Sequence, residues 1–105
     1  MPRAPRPKWW VYVLRCADGS LYTGISTDPD RRLTQHNAGT ASKYTRSRRP
    51  VALVYREQRR GKSDALRREL ALKALPRRAK LALVAVLLTT THTAGRNRTP
   101  TAQSR

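Results

Sequence analysis

Acidic residues, cysteine and long apolar runs are all scarce in this chain, and each shortage excludes something. There is one cysteine, Cys16, in 105 residues. It rules out an internal disulfide and gives no cysteine metal cluster, and no disulfide-linked partner is expected. It lies at the end of an apolar run, so a small buried hydrophobe is expected there. The longest apolar run, Leu81 to Leu88, is too short to span a bilayer. No secretory leader is visible: Met1 to Lys8 is basic and Pro-rich, and only Trp9 to Leu14 follows as an apolar stretch. A soluble, cytoplasmic protein with no membrane partner is expected. Asp and Glu number 6 against 23 Lys and Arg, a formal charge of +17. Such an excess attracts polyanions, and cationic side chains on phosphate release counterions. Nucleic acid is the first partner to consider. An anionic membrane surface, or a solvated basic face with no specific partner, is the rival.

The order of elements follows from local signals. Residues 1–8 hold three prolines and three basic residues and read as a disordered basic arm. WWVYVLR, residues 9–15, is aromatic and β-branched, a strand signal. Asp18-Gly19-Ser20 is turn chemistry, and LYTGIS, residues 21–26, reads as a second strand of a hairpin. Thr27-Asp28-Pro29 opens a helix over 29–38 that Gly39 can stop. Residues 39–50 read as a loop and 51–57 as a third strand. Ser63 can cap a helix over 64–75, and Pro76 can start another to about Leu88. The tail, 89–105, is Thr-rich, basic and expected to be disordered. The order β-β-α-β-α-α predicts an α/β (α+β) domain over 9–88: a small three-stranded, mostly antiparallel sheet flanked by helices.

Several residues stand out chemically. In the helix over 64–75, Leu66 and Leu70 lie about 40° apart and mark the expected apolar stripe. Glu69 sits about 60° to the other side of Leu66, with Lys73 between them. It is one of two glutamates in the chain. A carboxylate bordering a core needs a partner: a salt bridge to Lys73 or an arginine, or a hard divalent cation. Arg32 and His36, four apart, share a face of the first helix. Arg32 reads as a surface arginine or a phosphate contact. His36 reads as a packed imidazole, a general base or a phosphate contact. Tyr12 and Tyr22 are strand tyrosines. Gly24 is a glycine inside a strand, which often marks close approach by another backbone or a ligand. Lys43, Arg46, Arg48 and Arg49, with Tyr44 among them, form a basic loop with one stacking ring, suited to single-stranded or branched DNA or else merely solvated.

Taken together these segments resemble the GIY-YIG endonuclease superfamily. Trp10-Val11-Tyr12 stands at the first signature triplet and Tyr22-Thr23-Gly24 at the second. Arg31-Arg32-x-x-x-His36-Asn37, Arg49-Pro50 before an apolar strand, and Ala65 to Glu69 continue the likeness over about 9–85. Trp10 replaces the first Gly, and Thr23 an Ile. The likeness is nearest to small standalone members and to the branch that cleaves branched DNA. It implies a metal-dependent DNA endonuclease of DNA-repair type. Tyr12 and Tyr22 would position or deprotonate the attacking water. Arg32 would stabilise charge on the scissile phosphate. Glu69 would hold a single Mg²⁺ or Mn²⁺. His36 and Asn37 would assist the nucleophile or contact phosphate. Gly24, Lys43, Tyr44, Arg46, Arg48, Arg49 and Lys73 would lie along the nucleic acid. With so few acids, one ion is expected rather than two. No helix-turn-helix or zinc module is present to read sequence, so selectivity should rest on DNA shape. The alternatives are a non-catalytic nucleic-acid-binding module on the same fold, or a basic structural protein.

Register supplies an independent condition. A two-residue turn at Asp18-Gly19 would put Tyr12 and Tyr22 on opposite faces of the hairpin. A shared site therefore predicts a three-residue loop or a bulge, with Ala17 opposite Leu21.

Overall fold

A computed structural model describes residues 7–85. Most of the basic arm, the tail from 89 and the last turn expected for the final helix lie outside the described residues. The chain divides into two compact units, the first ending at Ala74 and the second beginning at Leu75.

The first unit is built on an antiparallel sheet in the order β2-β1-β3. β1 (Trp9–Arg15) is central, β2 (Leu21–Ser26) pairs along one side and β3 (Ala52–Arg59) along the other. The central strand is covered on both faces, which is why Val11, Tyr12, Val13 and Leu14 are all buried in succession. β3 carries one extra residue where Val13 pairs with Tyr55 and Leu14 with Leu53. The strand runs to Arg59, two residues past the expected Glu57.

α1 (Pro29–Ala38) forms as its sequence dictates. Asp28 accepts from the Arg31 N–H at 3.1 Å, Pro29 fills the first turn, and Gly39 closes the helix at φ +84°. Leu33 from α1 packs with Tyr12, Leu14, Cys16 and Val51 in the core, so α1 lies over the Tyr12 face. Cys16 is buried there, as expected.

The stretch expected to be all loop contains a short helix, α2 (Lys43–Arg46). Ser42 caps it by accepting from the Thr45 N–H at 3.3 Å. A four-residue helix shows too little periodicity to be found from sequence. α3 (Lys62–Lys73) begins earlier than expected, and Ser63 is not its cap. Gly61 holds that position, and Asp64 reaches back to the Arg60 N–H at 3.1 Å instead. α3 is tied to β3 through Glu57, which accepts from Arg68 at 2.7 Å and Arg59 at 2.9 Å. Glu57 stands opposite Val11, so α3 is held against the face away from Tyr12.

In the second unit, residues 77–85 are helical within the described range, with Lys80 N–H donating to the Pro76 carbonyl at 3.2 Å. Among the described residues no helix is long and apolar enough to cross a membrane.

Candidate active site

The hairpin decides whether the tyrosines can cooperate. Cys16 N–H donates to the Ser20 carbonyl at 2.8 Å, and Gly19 N–H to the Cys16 carbonyl at 2.9 Å. The loop is therefore Ala17-Asp18-Gly19, three residues, closed by Gly19 at φ +86°. Tyr12 pairs with Gly24 and Tyr22 with Leu14. The expected loop length is right, but the register differs by two residues: Leu21 faces Arg15, not Ala17. A shift of two keeps the alternation, so both phenols share one face.

Gly24 is explained by its neighbour. A Cβ there would sit 2.6 Å from the Tyr12 oxygen and 2.7 Å from its Cζ. The Tyr12 ring lies across the glycine and fills the space a ligand was expected to approach.

From there the Tyr12 hydroxyl reaches Nε2 of His36 at 2.9 Å. Nδ1 of His36 lies 2.8 Å from the Thr45 hydroxyl, which donates onward to the Ser42 carbonyl at 3.4 Å. With its own hydrogen so engaged, the Thr45 oxygen accepts from Nδ1–H. That tautomer leaves the Nε2 lone pair to accept the phenol's proton. His36 and Thr45 are both fully buried. Tyr22 packs edge-on to His36, with ring centroids 5.0 Å apart.

Burial pushes the Tyr12 phenol up to about 12, with the charges of Tyr22 and Glu69 adding to it and Arg32 working against them. Burial, and then the Arg32 charge, hold His36 below the ordinary imidazole value. The resting pair is thus neutral tyrosine on neutral histidine at physiological pH. Arg32, in α1, donates to Gln35 Oε1 at 2.8 Å and to the Ala41 carbonyl at 3.5 Å, which fixes its guanidinium beside the phenol.

Glu69 reaches its place by a helix orientation turned roughly 110° from the expected one. Leu66 and Leu70 are 42% and 67% exposed, while Ala65 and Leu72 are buried. Ala65, Glu69 and Leu72 fall within about 60° of helix surface, so Glu69 belongs to the inward row rather than its border. Its side chain is 16% exposed, and Lys73, 52% exposed, pairs with it at 3.4 Å. A mostly buried carboxylate paired with one half-exposed lysine suits a hard cation. Among the described residues no three His, Cys, Asp or Glu side chains cluster as a metal site. A cation at Glu69 would take its other ligands from phosphate and water.

Other expected contact residues have partners within the protein. Asn37 clamps Val51, donating to its carbonyl at 2.9 Å and accepting its N–H at 2.8 Å. Its amide is spent on holding the start of β3. Arg49 donates to the Arg46 and Asn37 carbonyls at 2.9 and 3.3 Å. Arg48 pairs with Asp18 at 3.1 Å and lies over the Tyr44 ring at 3.9 Å. Tyr44 also stacks on Tyr22 at 6.0 Å, which occupies the ring proposed for a base. Lys43 and Arg46 are exposed on α2. Lys73 is the partner of Glu69. Thr45 went unnoticed in the sequence, because nothing local connects it to His36.

This small α+β domain holds a buried tyrosine–histidine pair and an arginine fixed by its neighbours. The chain belongs to the GIY-YIG family: residues 8–82 match the GIY-YIG catalytic domain. It is similar to UPF0213 protein DP2720 of Desulfotalea psychrophila, 54% identical over 79% of this chain and 76% of that one. It is also similar to UPF0213 protein SH2523 of Staphylococcus haemolyticus, 48% identical over 73% of this chain and 94% of that one. The solution structure of protein EF2693 from E. faecalis shares 38% identity over 90% of this chain and 97% of that one, with a TM-score of 0.51.

Proposed function

We propose that this protein is a metal-dependent DNA endonuclease that hydrolyses phosphodiester bonds and selects branched or single-stranded DNA by shape. The observation that carries this is the buried contact of the Tyr12 hydroxyl with His36 Nε2, beside Arg32. A phenol with a pKa of about 12 is a poor base alone. With a neutral imidazole behind it, the phenol can take a proton from water as it passes its own to Nε2. Thr45 holds the imidazole in the tautomer this requires. Arg32 stands where negative charge would build on the phosphate. Tyr22 packs edge-on to His36 beside Tyr12 and helps place the water. Glu69 would hold one Mg²⁺ or Mn²⁺, which when bound would supply polarisation of the phosphate and help for the leaving oxygen. The formal charge of +17 supplies affinity that falls steeply with salt.

The raised Tyr12 pKa favours one other reading, a binding module that keeps the fold without cleaving. A panel of flaps, forks, junctions and single strands, incubated with Mg²⁺ or Mn²⁺, separates the two. The nuclease reading expects wild type to cut at least one substrate while Glu69→Ala binds but does not cut. A wild-type protein that binds all of them and cuts none would establish the other.

A further inference from the structure

Arg32 borders a second space. A cavity of about 300 Å³ opens among Trp9, Ile25, Thr27, Arg31, Arg32 and Gln35. It lies where β2, the edge strand, meets the first turns of α1. Trp9 and Ile25, both on the Val11 face of the sheet, border the cavity at this edge and give it an apolar side. Lys62 brings a cation to the same ring, 5.6 Å from its centroid.

The charge at this place argues against phosphate as the occupant. Asp28, which also lines the cavity, caps α1 with a carboxylate, and Asp30 adds a second in the first turn. The positive end of the helix is already neutralised. What remains is an aromatic wall with a hydrogen-bonding rim of Thr27, Gln35 and arginine. That lining suits a flat, neutral heterocycle with polar edges. The one aromatic ring in the basic loop, Tyr44, already has Arg48 over it and Tyr22 stacked on it.

Resting on the nuclease reading, we propose that this cavity receives one unpaired nucleobase of the strand being cut, stacked against Trp9. A phosphate at Arg32 places the neighbouring nucleoside within reach of the cavity that Arg32 shares. A base in a duplex is paired and stacked, and so cannot enter. This gives the site a physical reason to prefer frayed, flapped or single-stranded DNA over duplex.

Binding is measured on the full chain in EDTA, so that no strand is cut. The probes are a short single strand, the same strand with abasic positions, and the matching duplex. Wild type is expected to bind the intact strand about tenfold tighter than the abasic one. Trp9→Ala is expected to abolish that ratio and leave duplex affinity within about twofold. Thr27→Phe, a change at an exposed loop residue that fills the cavity, should do the same with the sheet undisturbed. It decides the matter should Trp9→Ala fail to fold. Equal wild-type affinity for intact and abasic strands would overturn the proposal, as would a ratio that survives both substitutions. Cleavage is scored separately with Mg²⁺. A wild type that cuts but ignores base loss sinks this inference alone. A wild type that reads base loss but cuts nothing sinks the nuclease reading and leaves the cavity a binding site.

Discussion

The Tyr12 hydroxyl lies 2.9 Å from His36 Nε2, and both side chains are buried. A sheet residue and a helix residue 24 positions apart thus form one hydrogen-bonded pair. Replacing His36 by Gln, which can still hydrogen-bond but cannot take a proton, is expected to lower the cleavage rate about 10²- to 10⁴-fold. Single-turnover kinetics with saturating DNA would show the loss, with affinity nearly unchanged. A His36→Gln rate within a few-fold of wild type would remove the imidazole from the mechanism.

The same histidine fixes an acid limb. Its folded pKa is depressed by burial and by Arg32. The unfolded chain therefore binds this proton more readily than the folded one as pH falls below about 6.5. The stability it contributes is complete above that pH and is lost as pH falls through the lower folded value. Thermal unfolding from pH 7.5 to 4.5 should show a steeper acid loss in wild type than in His36→Gln. Identical slopes would contradict the assignment.

Gly24→Ala tests the close approach. Its methyl would lie 2.6 Å from the Tyr12 oxygen and must displace the phenol from His36. A cost of about 1–3 kcal/mol is expected from the overpacking, read from denaturant unfolding. Cleavage should fall far more than the folded fraction does. Full activity in Gly24→Ala would show that the Tyr12 position is not critical.

Asn37 distinguishes a clamp from a DNA contact. Its amide makes two bonds to Val51, so Asn37→Ala leaves a backbone N–H and C=O unpaired. The expected cost is roughly 1–3 kcal/mol of stability. DNA affinity of the folded fraction should be unchanged. A stable Asn37→Ala protein that binds DNA weakly would restore the direct contact implied by the family resemblance.

Glu57 anchors α3 and hence Glu69. Burial works to raise its carboxyl, but hydrogen bonds from Arg68 and Tyr55 outweigh it and hold the pKa low. Glu57→Gln weakens these pairs and is expected to cost on the order of 1–3 kcal/mol. Mn²⁺ affinity, followed by electron paramagnetic resonance, should fall with it, because Glu69 sits on the loosened helix. Unchanged metal affinity would place the cation elsewhere.

The sequence by itself determined the strands, the first helix with its Asp28-Pro29 start and Gly39 stop, and the positive charge. These are local: β-branched and aromatic runs, cap oxygens and glycine stops act over a few residues. It did not fix the hairpin loop, whose length sets the parity and hence whether the two phenols share a face. Only the tertiary structure decided which side of α3 turns inward. The helix has leucines on two sides, and docking on the sheet selected the row with Ala65, Glu69 and Leu72 over the one with Leu66 and Leu70. It alone joined Thr45 to His36 and turned Asn37 and Arg49 into braces. Those contacts depend on helices meeting in space, where burial obliges each polar atom to find a partner that no sequence spacing encodes.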